Sequence, residues 1–329
     1  MVAVKLEEVS LFYSNQAALR ELSCTVGPGQ YVVVLGASAS GKSTLLRVIA
    51  GLVFPHAGRV YFSDVDATGL PPRKRDVAWV PQAGGLYPHL TIEKNIQVAM
   101  RGRVAKSKRA QQLSMALDRV GLVEQRDRLP QQLSGGQQRR ASLARAIATE
   151  PAVLLLDEPL SALDAGLRLP LERDLAELHR SRQEGVEVSS RSVTIHVTHD
   201  GQEAMRLADQ IVVLDKGQVV QSGEPDQVAS RPATASLAAA LGKSLFISLP
   251  LQSVAGGWQD ERGNAMPEVW SQTLSKLPPD AQRVSLGYYQ HQARLAAADV
   301  KQADDWYDAI NHNVVRVQDT HLFANGRRQ

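Results

Sequence analysis

Gly36-Ala37-Ser38-Ala39-Ser40-Gly41-Lys42-Ser43-Thr44 follows the apolar run Tyr31-Val32-Val33-Val34-Leu35 and precedes the helix-like Leu45-Leu46-Arg47-Val48-Ile49-Ala50. The order is strand, glycine loop, helix, and the spacing G-x-x-x-x-G-K-S is that of a loop built around phosphate. Successive backbone N–H groups at a helix N-terminus make a concave, partly positive cradle for phosphate oxygens. Lys42 is expected to reach the β- and γ-phosphates, Ser43 to place its hydroxyl on Mg²⁺, and Thr44 to continue the helix entry. Ala39 is the awkward residue. It stands where a glycine would tolerate positive φ, and an alanine held there costs about 1 kcal/mol or more.

Working outward, 329 residues suffice for two domains. The 37 basic and 34 acidic residues nearly cancel, which leaves no electrostatic footprint for nucleic acid beyond weak local patches. The single cysteine, Cys24, excludes an intramolecular disulfide framework and reads as a small buried apolar residue. Met1-Val2-Ala3-Val4-Lys5-Leu6 alternates like a strand rather than a signal segment. No apolar run approaches the roughly 18 residues that a membrane helix needs, so a membrane role is expected to come through a partner.

Along the chain, Val2 to Val26 reads as short strands interrupted at Ser14-Asn15-Gln16, and Gly58 to Phe62 as a further strand. Tyr13 is an aromatic just upstream of the phosphate loop, open to core packing or to stacking on a base. Pro71-Pro72-Arg73-Lys74-Arg75 is expected to be an exposed basic connection, and Arg101 to Arg109 a solvated basic face. Val77-Ala78-Trp79-Val80-Pro81 predicts a strand that ends at Gln82, beside the flexible Ala83-Gly84-Gly85. From Thr91 to about Thr149 the period turns helical, an insertion within an α/β pattern. Within it, Leu133-Ser134-Gly135-Gly136-Gln137-Gln138-Arg139-Arg140 opens a strong helix and offers a second set of bare N–H groups.

Ala152-Val153-Leu154-Leu155-Leu156 is a continuous apolar run, as a parallel strand buried on both faces requires. It ends in Asp157-Glu158, carboxylates at the strand end where open α/β sheets bind ligands. Asp157 suits Mg²⁺ through its water shell, and Glu158 suits an attacking water. Ser192 to Thr198 reads as the last strand of the main sheet, followed by His199-Asp200, with His196 structural. Ile211 to Val220, after it, reads as hairpin-like. After about residue 240 short strand-like pieces suggest a small β-rich domain, with Trp258, Trp270 and Trp306 as core or interface residues.

Taken together, Gly36 to Thr44, Gln82, Leu133 to Arg140, Leu154 to Pro159, Ser161 to Asp164 and His199 resemble, in order, the Walker A loop, Q-loop, signature, Walker B strand, D-loop and switch histidine of ABC transporter ATP-binding subunits. The resemblance covers roughly residues 3 to 235. It implies a P-loop ABC ATPase domain over 1–238, with a RecA-like core sheet, an N-terminal antiparallel β subdomain and a helical subdomain at about 86–150, then an OB-like accessory domain over 239–329. It further implies ATP and Mg²⁺ as cofactors. Nucleotide contacts would come from Tyr13, Gly36, Ala37, Ser38, Ala39, Ser40, Gly41, Lys42, Ser43 and Thr44, and from Ser134, Gly135, Gly136, Gln137 and Asp164 across a dimer. Ser43, Gln82 and Asp157 would face the metal, and Glu158, His199, Gln82 and Lys42 would carry hydrolysis.

The implied partners are a second ATPase subunit, membrane permease subunits and, indirectly, an extracytoplasmic solute-binding protein, with the chain peripheral at the cytoplasmic face of the inner membrane. Pro71 to Ala78, Leu86 to Thr91 and His199 to Met205 are similar to maltose and glycerol-phosphate importer ATPases, which implies carbohydrate or related cargo. Tyr288-Tyr289-Gln290-His291 departs from that group's arginine-proline pattern, and importers of iron, molybdate, sulfate or polyamine carry comparable tails. From another class, a soluble ABC ATPase acting on nucleic acid or ribosomes would show paired cassettes, coiled coils or basic arms. Ala39 departs from the family's loop glycine, and Ser181 to Ser192 is longer than the usual connection.

Overall fold

The computed structural model describes residues 3–14, 16–82, 85–161, 165–183 and 192–241, and, by backbone alone, seven strand segments of the C-terminal region. By internal contacts the chain divides into two compact units, Met1–Pro225 and Asp226–Gln329, whereas the composition changes nearer residue 240.

In chain order the first unit comprises β1 (Val4–Tyr13), β2 (Gln16–Val26), β3 (Tyr31–Leu35), α1 (Lys42–Ala50), β4 (Ala57–Phe62), β5 (Val65–Asp66) and β6 (Val77–Val80). There follow α2 (Ile92–Met100), α3 (Arg109–Arg119), α4 (Gly135–Ile147), β7 (Val153–Asp157), α5 (Ala165–Ser181), β8 (Val193–Thr198), α6 (Gly201–Leu207), β9 (Gln210–Asp215) and β10 (Gln218–Gly223). One sheet is antiparallel, β2-β1-β4-β5, and the other is six-stranded in the order β10-β9-β3-β8-β7-β6. Within the second, β3 runs parallel to both β8 and β9, and β7 parallel to both β6 and β8.

Every residue of β3, β7 and β8 is buried, as strands covered on both faces must be. Side chains on a strand alternate in direction, and β7 shows the consequence. Leu154 and Leu156 enter the core beneath α2, α3 and α4, while Val153 and Leu155 enter the core shared with α1 and the antiparallel sheet. The strand thus fixes Asp157 and Glu158 between two separately packed layers.

Two expectations are corrected. The main sheet does not end at β8. Ile211, Val212, Val213 and Leu214 are all buried, so β9 packs as an interior strand beside β3 and β10 forms the antiparallel edge. Nor is the connection at Pro71–Arg75 exposed throughout, because Arg75 is only 3% exposed. Its guanidinium donates to the carbonyls of Val48 (2.7 Å) and Ile49 (2.8 Å), which end α1, and to Leu70 (2.9 Å) and Thr68 (3.0 Å). A cation at a helix C-terminus meets carbonyls that have no partner within the helix. The basic residues Arg101, Arg103, Lys106 and Lys108 are exposed, as expected.

The second unit begins within α7 (Pro225–Ser230) and contains α8 (Ala235–Ala240), then β11 (Ser244–Leu249), β12 (Leu251–Val254), β13 (Gly257–Asp260), β14 (Val284–Tyr289), β15 (Arg294–Leu295), β16 (Val315–Arg316) and β17 (His321–Ala324). The order β11-β14-β17 makes a three-stranded antiparallel sheet, and β12–β13 and β15–β16 are two-stranded pairs. The side chain of Trp258, the whole of Trp270 and Trp306, and residues 184–191 of the long connection lie outside the described residues.

Candidate nucleotide site

The phosphate loop leaves β3 and is tied at once to the neighbouring strand, Gly36 N donating to Thr198 O at 3.3 Å. It re-enters a helix through Gly41, whose φ of 106° is closed to other residues on two counts. The conformation is left-handed, and a β-carbon there would lie 2.6 Å from the carbonyl oxygen of Ala18. Ala39 also has positive φ, 63°, so the strain expected from the sequence is present in the backbone.

Lys42 opens α1 and is 5% exposed. Its ammonium donates to the loop carbonyls of Gly36 (2.8 Å) and Ala37 (2.9 Å). Burial lowers its pKa, and the nearby charges of Glu158 and Asp157 oppose that shift. Ser40 Oγ is buried and has no hydrogen-bond partner among the described residues. A desolvated ammonium, an unpartnered hydroxyl and helix-entry N–H groups form a donor-rich surface of the kind that phosphate oxygens satisfy.

Opposite the loop, Ser43 Oγ donates to Asp157 Oδ1 at 2.9 Å. Burial raises the Asp157 carboxyl pKa, and the Ser43 hydrogen bond works against that rise. The next residue, Glu158, adopts a left-handed backbone with φ 45°. Three side chains gather on its carboxylate: Gln82 Nε2 at 2.9 Å, His199 Nδ1 at 3.4 Å and Lys42 Nζ at 4.0 Å. Gln82 leaves β6, Asp157 ends β7 and His199 follows β8, so the cluster sits at the carboxyl edge of adjacent parallel strands.

Among the described residues no cluster of three or more His, Cys, Asp or Glu could hold a metal by itself. The paired oxygens of Ser43 and Asp157 nevertheless have the chemistry that suits Mg²⁺, a hard ion that keeps water and substrate phosphates as its other ligands, and Gln82 reaches the adjacent Glu158.

The signature segment stands apart from this cluster. Ser134 caps α4 by accepting from Gln137 N at 3.3 Å, and Gln137 Oε1 accepts from Ser134 N at 3.0 Å. Among the described residues no hydrogen bond joins this capping box to the phosphate loop or to Glu158. A β-carbon on Gly135 would meet nothing within 4 Å, so nothing described in this subunit requires glycine there. Tyr13 is 45% exposed at the end of β1, and Asp164 lies outside the described residues.

His196 is fully buried between Tyr31 Oη (2.9 Å) and Glu203 Oε1 (2.8 Å). Glu203 Oε2 accepts from Thr198 Oγ1 at 2.7 Å, and Asp200 caps α6 through Gln202 N (2.8 Å) and Glu203 N (3.2 Å). The turn carrying His199 is therefore pinned from below. Sequence reasoning passed over Arg139, which donates to the backbone carbonyl of Glu158 at 2.6 Å. Its only signal was its place as the first of two arginines directly after the signature glutamines.

The ABC transporter family profile matches residues 19–161. A relative named as a 2-aminoethylphosphonate import ATP-binding protein, PhnT of Salmonella paratyphi A, is 38% identical over 273 residues, 82% of this chain and 72% of that protein. The sulfate/thiosulfate import ATP-binding protein CysA 2 of Agrobacterium fabrum is 41% identical over 248 residues, 74% of this chain and 70% of the relative. The spermidine/putrescine import ATP-binding protein PotA of Bacillus cereus is 40% identical over 245 residues, 74% and 72% respectively. None of these three names is that of a carbohydrate importer; they favour the sulfate and polyamine alternatives over carbohydrate.

Among solved structures, a dimeric ATP-binding cassette in a post-hydrolysis state, bound to ADP and Pi, superposes with TM-score 0.57 at 29% identity, covering 68% of this chain and 98% of that one. A nucleotide-free ATP-binding cassette from an ABC transporter gives TM-score 0.63 at 22% identity over 72% of this chain and 99% of that one, a likeness of fold.

Proposed function

The chain belongs to the ATP-binding subunits of ABC transporters, and from that premise we propose that it drives a binding-protein-dependent importer of a small charged solute of the phosphonate, sulfate or polyamine class. It is a transport-coupled ATPase. The observation that carries the detailed reading is the convergence of Gln82, His199 and Lys42 on the carboxylate of Glu158, beside the Ser43–Asp157 pair.

In this reading Lys42 exchanges its two loop carbonyls for the β- and γ-phosphates, and the α1 N–H groups hold the remaining oxygens. Ser43, Asp157 and Gln82 would hold Mg²⁺, which when bound supplies charge neutralisation at the transferred phosphoryl group. Glu158 orients the attacking water and accepts its proton; His199 stabilises charge on the γ-phosphate side. Ser134, Gly135 and Gly136 of a second copy close over the nucleotide, which accounts for a glycine that nothing described in its own subunit requires. Catalysis by positioning then depends on dimer closure, and closure becomes movement of the permease. No helix among the described residues is long and apolar enough to cross a membrane, so the chain would be held at the cytoplasmic face by permease subunits. A formal net charge of +3 gives little support to a nucleic-acid ATPase.

The test is the complex with its co-encoded permease and binding protein in vesicles, assayed with 2-aminoethylphosphonate, sulfate, spermidine and maltose. One of the three charged solutes should bind the binding protein and stimulate ATP hydrolysis. Stimulation by maltose alone would overturn the cargo class. ATPase activity stimulated by nucleic acid in a chain that never associates with a permease would overturn the importer reading itself.

A further inference from the structure

Arg139 lies in α4, the helix that the Ser134 capping box begins. Its guanidinium reaches four backbone carbonyls. Nε donates to Pro159 O at 2.8 Å, Nη2 to Glu158 O at 2.6 Å, and Nη1 to Pro81 O at 3.0 Å and to Gln82 O. A guanidinium has five N–H donors in a rigid planar fork, so nearly all of them are spent on these two pieces of chain. The first piece is the exit of β6 into the loop carrying Gln82; the second is the turn after β7 that carries Glu158. Both strands are neighbours in the sheet, their pairing with each other ending at Val80 and Leu156, and beyond that point Glu158 N donates to Val197 O of β8 at 3.0 Å.

The energetic need is visible at Glu158. A non-glycine residue at φ 45° costs about 1–2 kcal/mol and persists only where its surroundings hold it. Hydrogen bonds from a charged donor are the strong kind, and one of them grips the strained residue's own carbonyl. Arg139 is half-buried, with burial lowering its pKa against the opposing charges of Asp157 and Glu158. Further along α4, Arg145 donates to Gly85 O, and its guanidinium stands 5.7 Å from the Tyr87 ring. The same helix therefore grips the chain on both sides of the Gln82 loop.

We propose that Arg139 is a positioning residue for hydrolysis: it holds the backbones of Gln82 and Glu158 in register with each other and with the signature helix. This rests on the reading of Glu158 as the water-orienting group. Movement of α4 as its N-terminus closes on a partner's nucleotide is then transmitted to the two side chains that face the water. A lysine in this place keeps the charge but not the fork, and cannot span both chain segments.

The experiment uses the full chain, with steady-state Mg²⁺-ATP hydrolysis and fluorescent-nucleotide displacement measured on the same preparations of wild type, R139K, R139A, E158Q and E158Q/R139A. A misplacement of about 1 Å can cost on the order of a hundredfold. R139A is expected to lower kcat about a hundredfold and R139K about tenfold, with ATP affinity within about twofold of wild type because the phosphate loop is untouched. In the E158Q background R139A should add little, since both changes remove one unit of function. R139K guards against R139A simply failing to fold. Variants that hydrolyse within twofold of wild type overturn the proposal. So does an ATP affinity that falls in step with kcat, as a generally loosened fold would give, or a full multiplication of the E158Q defect. A wild-type chain that binds ATP without hydrolysing it overturns instead the reading on which the proposal rests.

Discussion

Replacing Ala39 with glycine isolates the strain in the phosphate loop. At φ 63° the β-carbon of an L residue costs about 1–2 kcal/mol. The Ala39 side chain is exposed, so its methyl group recovers little of this through burial. Glycine removes the strain but widens the unfolded ensemble, a loss of about 0.4–1 kcal/mol. The difference leaves A39G more stable by about 0.5–1 kcal/mol, a rise in Tm of roughly 1–4 °C for a unit of this size. ATP affinity is a separate readout, because a ligand responds only to differences between the states it chooses among. If the loop keeps the same backbone with and without phosphate, affinity in A39G stays within about twofold of wild type. Urea unfolding followed by circular dichroism, with ATP titration on the same protein, checks both. A loss of stability above about 0.5 kcal/mol would show that the methyl group stabilises the fold, and a tenfold rise in affinity would show that the loop changes conformation on binding.

Arg75→Ala should destabilise the first unit by about 3 kcal/mol or more, since it strips a charged donor from four carbonyls that include the buried end of α1; a loss below 1 kcal/mol in urea unfolding would refute that role. His179 Nε2 donates to Gly29 O (3.0 Å) and its Nδ1 shares a hydrogen bond with Thr194 Oγ1 (2.9 Å), while burial holds its pKa below the ordinary value of 6.5. The unfolded chain therefore takes up a proton at higher pH than the folded one. Stability is complete above about pH 6.5 and falls as pH drops toward the lowered folded-state pKa. The slope of unfolding midpoint against pH between about 7 and 5.5 should be shallower in H179Q than in wild type, and an unchanged slope would remove His179 as its source.

Much of the fold could be read from periodicity. The all-buried strands β3, β7 and β8 were legible because parallel strands covered on both faces leave continuous apolar runs. Ile211 to Leu214, followed by Lys216-Gly217, carries the local signature of a hairpin, and β9 and β10 form one; that β9 also joins the main sheet is decided by distant partners such as Val32 to Leu35. The same limit applies to the arginines. Arg75 sits in a run of prolines and charges that reads as surface, yet the carbonyls it caps belong to a helix more than twenty residues earlier. At the site, the phosphate-loop spacing indicated Lys42 and Ser43 at the start of α1 and a strand end marked Asp157 and Glu158, whereas Gln82 and His199, which follow strands, took their roles from the family resemblance. Arg139 was not legible, because its partners are main-chain carbonyls and main-chain carbonyls have no sequence signature. Ser134 and the glycines after it were legible as a helix start, but the nucleotide they would meet in the proposed dimer belongs to another chain, which periodicity within one sequence does not display.

In the proposed dimer each chain supplies half of each nucleotide site. The most direct measurement is the solution mass of the full-length E158Q chain with and without Mg²⁺-ATP, by size-exclusion chromatography with light scattering. E158Q should hydrolyse ATP at least a hundredfold more slowly than wild type, bind it normally, and double in mass when it does; adding Gly135→Asp should abolish the doubling while leaving ATP bound. A saturated E158Q that stays monomeric, or a dimer indifferent to Gly135→Asp, would contradict the shared-site account.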